Sequence, residues 1–552
     1  MSLHPQSIAP VPEDTARVAR AAFPRGNLCL RLRDELGTLF SDEDFTSLFP
    51  TRGQPAEAPW RLLLVSLLQY AENLSDRQAA EAVRSRIDWK YLLGLELTDA
   101  GFDSTVLSEF RSRLIAGSAE DKILHTLLEK CRERNWLTAR GRQRTDSTHV
   151  LGAIRAMNRL ECVGETLRHA LNSLAVVAPD WLKGNSQPEW VKRYGKRVDD
   201  YHLPKSQAER QAYAGLIGTD GHRLLDAVYA PETPAWLAQV PAIEILRRVW
   251  VQQFYRTEKE IRWRTEQEGF PPCLLMIGSP YDPPAHYAKK HTTSWVGYKV
   301  HLTESCEENQ LHLITHVETT AAPTGDSQVI PLIHETLREQ DLLPERHLVD
   351  TGYGEAERLV ESKRDYDVDL YGPARGDYKR QAREAKGFAA EQFQVDWEQQ
   401  QITCPQGCTS QSWTPAQDRN GDPVIKIKFA SSDGRVCPSL RDCTHTKRPR
   451  RTITLHPQPE QEALRAARQR QSEPAFAEQY GKRAGIEGTI SQGVRAFGLR
   501  QARYRGQAKT HLQHILIATS MNLARIGHWL AGESQAQTRQ SSFAKLWQPC
   551  AT

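Results

Sequence analysis

The sequence predicts an α/β protein whose mixed sheet is flanked by helices, preceded by a helical N-terminal region and interrupted by two inserts. Three observations support this. The first 140 residues or so read as helices joined by tight turns. Residues 296–302 and 311–317 then alternate apolar and polar side chains, which is the pattern of paired, half-buried strands. Beyond them, short apolar runs alternate with helical periodicity, as in a sheet covered by helices.

The bulk composition is that of an ordinary globular protein. At 552 residues the chain is long enough for two to four structural units and at least one large core. Its longest apolar run, 62–68, is too short to span a bilayer, and the N-terminus lacks a basic-then-apolar signal pattern. We therefore expect a cytoplasmic protein with no membrane partner. Ten scattered cysteines do not form a disulfide framework.

Charge is unevenly distributed along the chain. Residues 441–552 hold 18 Lys/Arg against 7 Asp/Glu, a net charge of +11, whereas residues 1–440 hold 54 against 61, a net charge of −7. A basic segment on a mildly acidic body indicates a polyanionic partner that is bound locally, such as nucleic acid. A solvated helical face is the structural alternative.

The helical N-terminal region, residues 1–140, carries recognisable helix starts. Ser75 is expected to cap a helix, with Gln78 completing a capping box. Ser104 is expected to cap a second helix that exposes Arg111 and Arg113. Short helices with a basic last member are typical of helix-turn-helix-like DNA readers, although small bundles without a DNA role look the same.

The rest of the chain divides into core and insert segments. A first part of the core spans 141–176, a mainly helical insert rich in Trp and Pro spans 177–290, and the core continues over 291–375. A polar, β-like insert with clustered cysteines follows over 376–460. Residues 461–552 form a C-terminal helical part of the core with a basic tail.

Three acidic residues are the main candidates for chemistry. Asp350 ends an apolar run and precedes two glycines, which places it beyond the carboxyl end of a strand, where α/β proteins bind ligands. Asp146 lies in a β-tolerant stretch. Glu487 follows Tyr480 and Arg483 at helical spacing, so that the three line one helix face. The alternatives are a helix cap or Asx turn at Asp350 and three unrelated surface acids. A further aspartate, at position 326, is interpreted as a helix cap.

The chain from Asp146 through Asp350 to Glu487 resembles the DDE transposases of bacterial insertion sequences, in particular a subgroup with a helical N-terminal domain and a Cys-bearing insert. The resemblance covers nearly the whole chain. Its motifs are Phe102-Asp103-Ser104, Asn158-Arg159-Leu160, Ser279-Pro-Tyr-Asp-Pro283, Gly297-Tyr-Lys-Val-His301, Ala484-Gly-Ile-Glu487-Gly488 and Arg503-Tyr-Arg-Gly-Gln-Ala-Lys509. It implies an RNase H-like core and a transposase that cuts DNA at insertion-sequence ends and transfers the strands into target DNA.

The resemblance also implies roles, cofactors and partners. Asp146, Asp350 and Glu487 would be the catalytic acids and would bind two Mg²⁺ ions, for which Mn²⁺ can substitute. Hard carboxylate oxygens suit Mg²⁺, and a pair of such ions about 3.5–4 Å apart serves phosphoryl transfer. The implied partners are terminal inverted repeats and target DNA, bound by a homodimer that assembles on DNA. The implied location is the nucleoid.

The region around Glu487 departs from the family pattern at one position. The family's lysine, seven residues after the glutamate, falls on Val494; either Arg495 or Lys482 substitutes for it, or the subgroup dispenses with it. The glycines at 485 and 488, which flank Glu487, together cost a helix about 1–2 kcal/mol. A close approach by DNA or by a neighbouring strand would explain their presence, as would a frayed helix start. The candidate DNA-binding residues are Tyr480, Arg483, Arg495, Arg503, Arg505 and Lys509.

The cysteine cluster of the second insert is a candidate structural zinc site. Four thiolates could hold zinc and thereby stabilise a small β module that lacks a core of its own. The pairs are spaced more widely than tight CxxC knuckles, and unligated thiols are the alternative. The candidate ligands are Cys404, Cys408, Cys437 and Cys443, with His445 as an alternative.

Two other functions fit the same features. One is an RNase H-like DNA nuclease that cuts without strand transfer. The other is a catalytically silent, transposase-derived DNA-binding protein, against which the three intact acids argue.

Overall fold

The N-terminal region is helical, as predicted. The computed structural model describes residues 1–257, 260–377, 379–384, 388–419, 421–445 and 447–533, together with residues 543 and 546. The first helices are α1 (Glu13–Ala22), α2 (Leu28–Leu36), α3 (Pro59–Ala71), α4 (Asp76–Ser85), α5 (Ile87–Leu93), α6 (Thr105–Ala116) and α7 (Glu120–Glu133). Helix α3 is apolar on nearly all sides and is buried along almost its whole length, as expected of a helix at the centre of a bundle.

The local signals in this region are partly confirmed. The Ser75 hydroxyl accepts from the Gln78 amide, and the Gln78 side chain accepts from the Ser75 amide, which is the predicted capping box. Arg111, however, is not exposed on α6. Its guanidinium is buried, pairs with Asp76 and lies 5.2 Å from the ring centroid of Tyr504. The prediction was wrong because the C-terminal part of the chain covers this face.

The helical insert follows the first strand, β1 (Gln143–Leu151). Its elements are α8 (Arg159–Val177), α9 (Pro179–Asn185), α10 (Pro188–Tyr194), α11 (Gln207–Val228), α12 (Pro241–Gln253), β2 (Phe254–Arg256) and β3 (Ile261–Trp263). Helix α8 packs on α11 and α12 in a separate hydrophobic core. The insert therefore begins near residue 159, whereas the sequence analysis placed α8 in the first core part. Helical periodicity shows that α8 has an apolar face but not which neighbour covers it.

The central sheet and its helices come next. They are β4 (His286–Lys290), β5 (Thr293–Ser305), β6 (Ile314–Ala321), α13 (Ile330–Glu339), β7 (Arg346–Leu348), α14 (Ala356–Tyr366) and β8 (Asp369–Tyr371). The sheet runs β6–β5–β1–β7–β8, with β4 also paired to β5. Strand β5 is antiparallel to both β6 and β1, whereas β1, β7 and β8 run parallel to one another. This mixed α/β arrangement is consistent with an RNase H-like core, so the predicted fold class is confirmed.

The second insert and the C-terminal helices complete the chain. The insert contains α15 (Arg380–Glu384), β9 (Gln394–Asp396), β10 (Gln401–Thr403), β11 (Ser410–Gln417), β12 (Pro423–Phe429), α16 (Ser431–Val436), α17 (Leu440–Cys443) and β13 (Thr452–Leu455). The helices are α18 (Gln458–Gln471), α19 (Pro474–Gly481), α20 (Gly485–Ala496) and α21 (Gln507–Leu530).

Helix α21 joins the N-terminal bundle to the sheet. It packs on α2, α3, α6 and α7 and also on β6. Ser520 donates a hydrogen bond to the carbonyl of Leu67 (2.8 Å), and Asn522 donates one to the carbonyl of Ile314 (2.8 Å). One hydrophobic core therefore runs from the N-terminal helices through α21 to the sheet. Within the described ranges, every helix is too short or too polar to cross a membrane.

Candidate active site

Asp146, on β1, lies level with Asp350, which follows the end of the neighbouring strand β7. Strands β1 and β7 are parallel, with Arg144 opposite Leu348, and each aspartate lies two residues beyond that pair. Adjacent strands are about 4.8 Å apart, so the two residues are neighbours across the sheet. Asp146 Oδ1 accepts from the Ser147 amide (2.8 Å), and Asp350 Oδ1 accepts from the Gly352 amide (2.8 Å). The apolar run before Asp350 thus does deliver it to a strand end.

Arg483 connects Asp146 to Glu487. Its Nη2 lies 2.8 Å from Asp146 Oδ2, and its Nη1 lies 3.2 Å from Glu487 Oε1. The guanidinium is buried, whereas the Glu487 side chain is 65% exposed. Arg483 therefore lies between the two carboxylates and supplies a positive charge to both. Its own pKa is raised: burial opposes the charge, but Asp146 and other nearby anions outweigh burial.

Tyr480 lies beside the same acids. The helix predicted to carry Tyr480, Arg483 and Glu487 is divided into α19, a short 3-10 turn and α20, but the path stays helical. The Tyr480 ring stacks on Phe476, with centroids 5.5 Å apart. Burial raises the pKa of Tyr480, Arg483 lowers it, and the charges of Asp350, Asp146 and Glu487 raise it. All three predicted acids therefore act electrostatically on one side chain.

Asp146→Asn is expected to raise the melting temperature at neutral pH and to lose this gain in acid. Burial raises the pKa of Asp146 above its ordinary 3.8, against the opposing charge of Arg483. The folded state therefore favours the neutral carboxyl of Asp146. The stability that this preference contributes is fully present below the ordinary pKa of aspartate and is lost as the pH rises through the raised pKa of the folded protein. Melting curves of parent and variant from acidic to neutral pH measure the difference. A variant that is less stable than the parent at neutral pH would contradict it.

Asp326 is an acidic residue of this pocket that the sequence analysis misassigned. Its carboxylate caps no helix: Oδ1 accepts from Lys299 Nζ (2.8 Å) and from Ser147 Oγ (3.3 Å). A Cβ atom on Gly352 would lie 3.0 Å from Asp350 Oδ1 and 3.3 Å from Asp326 Oδ2, so these two carboxylates border the same space. Burial raises the pKa of Asp326, but Lys299 outweighs burial and the net shift is downward. No local sequence signal indicates that Asp326 pairs with Lys299, because Lys299 lies on strand β5 of the sheet.

The other predicted DNA-binding residues differ in their surroundings. Arg503 donates to the carbonyl of Leu74 (2.7 Å) and to Asn73 Oδ1 (2.6 Å), so its guanidinium holds the N-terminal helices. Arg505, Arg495 and Lys509 are exposed. Of the positions discussed for the missing lysine, Val494 packs on the core and Lys482 pairs with Glu308.

No preformed metal cluster is present at either predicted metal site. Across the described ranges, His, Cys, Asp and Glu form no group of three or more that could hold a metal ion. In the acidic pocket the donors are hard carboxylate oxygens, which fit Mg²⁺, but the guanidinium of Arg483 separates Asp146 from Glu487. In the second insert the four predicted cysteines line one cavity with their thiols free, so structural zinc stays a prediction.

Comparisons with protein-family models match two segments of the chain. The mixed sheet, with an aspartate on β1, another beyond β7 and a glutamate on a late helix, is consistent with an RNase H-like core. The family described as Transposase DDE domain matches residues 403–527, and the family described as Transposase domain (DUF772) matches residues 17–113. Together the two matches support an insertion-sequence DDE transposase. Searches of curated proteins and of solved structures returned no match.

The two matches differ in what they cover. The DDE match includes Arg483 and Glu487, and the other match covers most of the N-terminal bundle. Asp146 and Asp350 lie outside both matches, so their assignment depends on the motifs and on the strand geometry.

Proposed function

We propose that this transposase cuts DNA at the ends of an insertion sequence and joins the freed 3′ ends to target DNA, with divalent metal ions as cofactor. The observation that supports this most directly is that Asp146, on β1, lies level with Asp350, which follows the end of the parallel strand β7. The link from Asp146 through Arg483 to Glu487 adds the third acid.

The three acids are the proposed metal ligands. Asp146, Asp350 and Glu487 would hold two Mg²⁺ ions, with Mn²⁺ able to replace them. When bound, such a pair activates the attacking oxygen and stabilises the leaving 3′ oxygen. Arg483 then exchanges its carboxylate partners for a DNA phosphate beside the scissile bond, to which its planar fork can donate two hydrogen bonds.

DNA contacts are proposed at the exposed cationic residues Arg495, Arg505 and Lys509, where phosphate binding releases counterions. The N-terminal helices would recognise the terminal inverted repeats. Because two ends have to be joined in concert, the proposed active form is a homodimer assembled on DNA at the nucleoid.

The experiment supplies DNA ends, both uncut and pre-cut, together with a circular target. Duplexes that cover the DNA on each side of the chain's own coding sequence serve as the ends, and assays run with Mg²⁺ or with EDTA. We expect joined products in Mg²⁺ and none in EDTA. Cleavage without joined product would favour a nuclease of the same fold. Binding with neither reaction would favour a silent DNA-binding protein.

A further inference from the structure

We propose that Arg144, Glu304 and Arg525 form a positioning triad that fixes helix α20, and with it Arg483 and Glu487, against strand β1. The inference rests on the proposed function, because it concerns how the third acid is held in register with the first. None of the three side chains is assigned a contact with DNA. They act through α20.

Glu304 is the centre of the triad. It lies on β5 and is fully buried. Its Oε1 accepts from Arg144 Nε (2.7 Å), and its Oε2 accepts from Arg525 Nη1 (2.9 Å) and from the Thr489 hydroxyl (2.6 Å). Burial raises the pKa of Glu304, but the two arginines outweigh burial and the carboxylate stays ionised. One buried carboxylate therefore joins β5 to β1, α20 and α21.

Arg144 connects the triad to the start of α20. It precedes Asp146 by two residues, so both side chains leave the same face of β1. Arg144 Nη1 donates to the carbonyl of Lys482, and Nη2 lies 3.3 Å from His312 Nδ1. Both side chains thus contact the segment that carries Arg483. Asp146 contacts the side chain of Arg483, and Arg144 contacts the backbone carbonyl of Lys482.

Gly485 is required by this contact. A Cβ atom at residue 485 would lie 2.1 Å from Arg144 Nη1, where no atom fits. The guanidinium cannot simply move aside, because Glu304 and the Lys482 carbonyl hold it. At Gly488, three residues later, a Cβ atom would meet nothing within 4 Å. The close approach expected from the glycine at 485 is therefore made by an arginine of β1.

Arg525 holds the next turn of α20 from the other side. Its Nη2 donates to the Thr489 hydroxyl (2.6 Å) and to Gln492 Oε1 (3.2 Å), and its Nη1 donates to the carbonyl of His312 (2.8 Å). Helix α20 is thus fixed at its first two turns by two arginines that share one carboxylate. Removal of one member leaves an uncompensated buried charge, and misplacement of a catalytic group by about 1 Å can cost on the order of 10²-fold in rate.

The test compares Gly485→Ala with Gly488→Ala in the full-length protein. Both variants add one methyl group to α20, but only the first displaces Arg144. We expect Gly485→Ala to lower the cleavage rate at saturating end DNA about tenfold without changing the Kd for end DNA. Gly488→Ala is expected to keep the parental rate and Kd. Thermal melts establish that each variant is folded.

Glu304→Gln is the second variant, because it keeps the shape of the side chain and removes the charge. The same pattern is expected: a slower rate at an unchanged Kd. A double variant, Gly485→Ala with Arg144→Gln, should be little slower than Gly485→Ala alone, since both changes break the same contact.

The outcomes separate the triad from the proposed function. The triad is overturned if Gly485→Ala cuts at the parental rate, if Gly488→Ala loses as much, or if the loss is entirely one of DNA affinity. In each case the proposed function stands as long as Asp350→Ala is inactive. If Asp350→Ala cuts as well as the parent, the proposed function fails, whatever the triad variants do.

Discussion

Asp350→Ala is expected to lower DNA cleavage and joining by at least about 10³-fold, equivalent to about 4 kcal/mol of transition-state stabilisation. The carboxylate lies just past the end of β7 and level with Asp146 on β1. On the proposed function, its removal deletes one of the oxygen ligands of the metal ions that serve phosphoryl transfer. The backbone turn should persist, because the Tyr353 amide still donates to the carbonyl of residue 350. End DNA should therefore bind with parental affinity, which a gel-shift titration beside the cleavage assay measures.

Asp365→Ala is the matched control for this loss. Asp365 lies on α14, is 43% exposed and pairs with Arg364 on the surface. Its removal is expected to change the cleavage rate by less than about twofold, as is usual for surface substitutions. Equal activity of Asp350→Ala and the parent would exclude Asp350 from catalysis. Loss of DNA binding together with a lower melting temperature would indicate misfolding rather than a missing ligand.

Arg483→Gln is expected to lower the cleavage rate by about 10²-fold, the size of effect seen when one charge-stabilising donor is removed from an active site. The guanidinium spans Asp146 and Glu487 at 2.8 and 3.2 Å, so glutamine leaves two carboxylates in one pocket without their common cation. Arg483→Lys should recover only part of the rate, because one ammonium group cannot reproduce the two-pronged geometry. Single-turnover cleavage of end DNA by the three proteins provides the comparison.

Arg338→Gln serves as the control for a lost arginine charge. Arg338 is 52% exposed on α13 and pairs with Glu335 there. The cleavage rate of Arg338→Gln should therefore match that of the parent. If Arg483→Gln cut DNA as fast as Arg338→Gln, Arg483 would have no part in the reaction. Its ion pairs would then be purely structural.

The sequence predicted the parts of the site that depend on local patterns. Asp350 could be found because an apolar run that breaks at two glycines marks a strand end, and the structure has it there. Alternation of apolar and polar residues predicted two paired strands, and β5 and β6 do pair, although β6 starts three residues later than predicted, at Ile314. The capping box at Ser75 could likewise be predicted from local sequence, because its two partners lie within one helical turn, and the structure confirms it.

What could not be predicted depends on contacts between distant segments. Asp326 was taken for a cap because its partner, Lys299, lies on a strand whose position is set by the whole sheet. Arg503 was assigned to DNA, yet much of its hydrogen bonding goes to the loop before α4. The glycine at 485 could be recognised as unusual, but only the fold identifies Arg144 as the group that needs the space.

The position of helix α21 has a consequence for biosynthesis. The N-terminal helices leave the ribosome long before α21, which covers their apolar faces. Until then that surface has no partner, and contacts across such long stretches of chain fold slowly and invite aggregation or chaperone binding. Helix α20 is also synthesised late, so Glu487 is added to the chain long after Asp146 and Asp350. On the proposed function, the nascent polypeptide therefore cannot cut DNA until α20 has been translated.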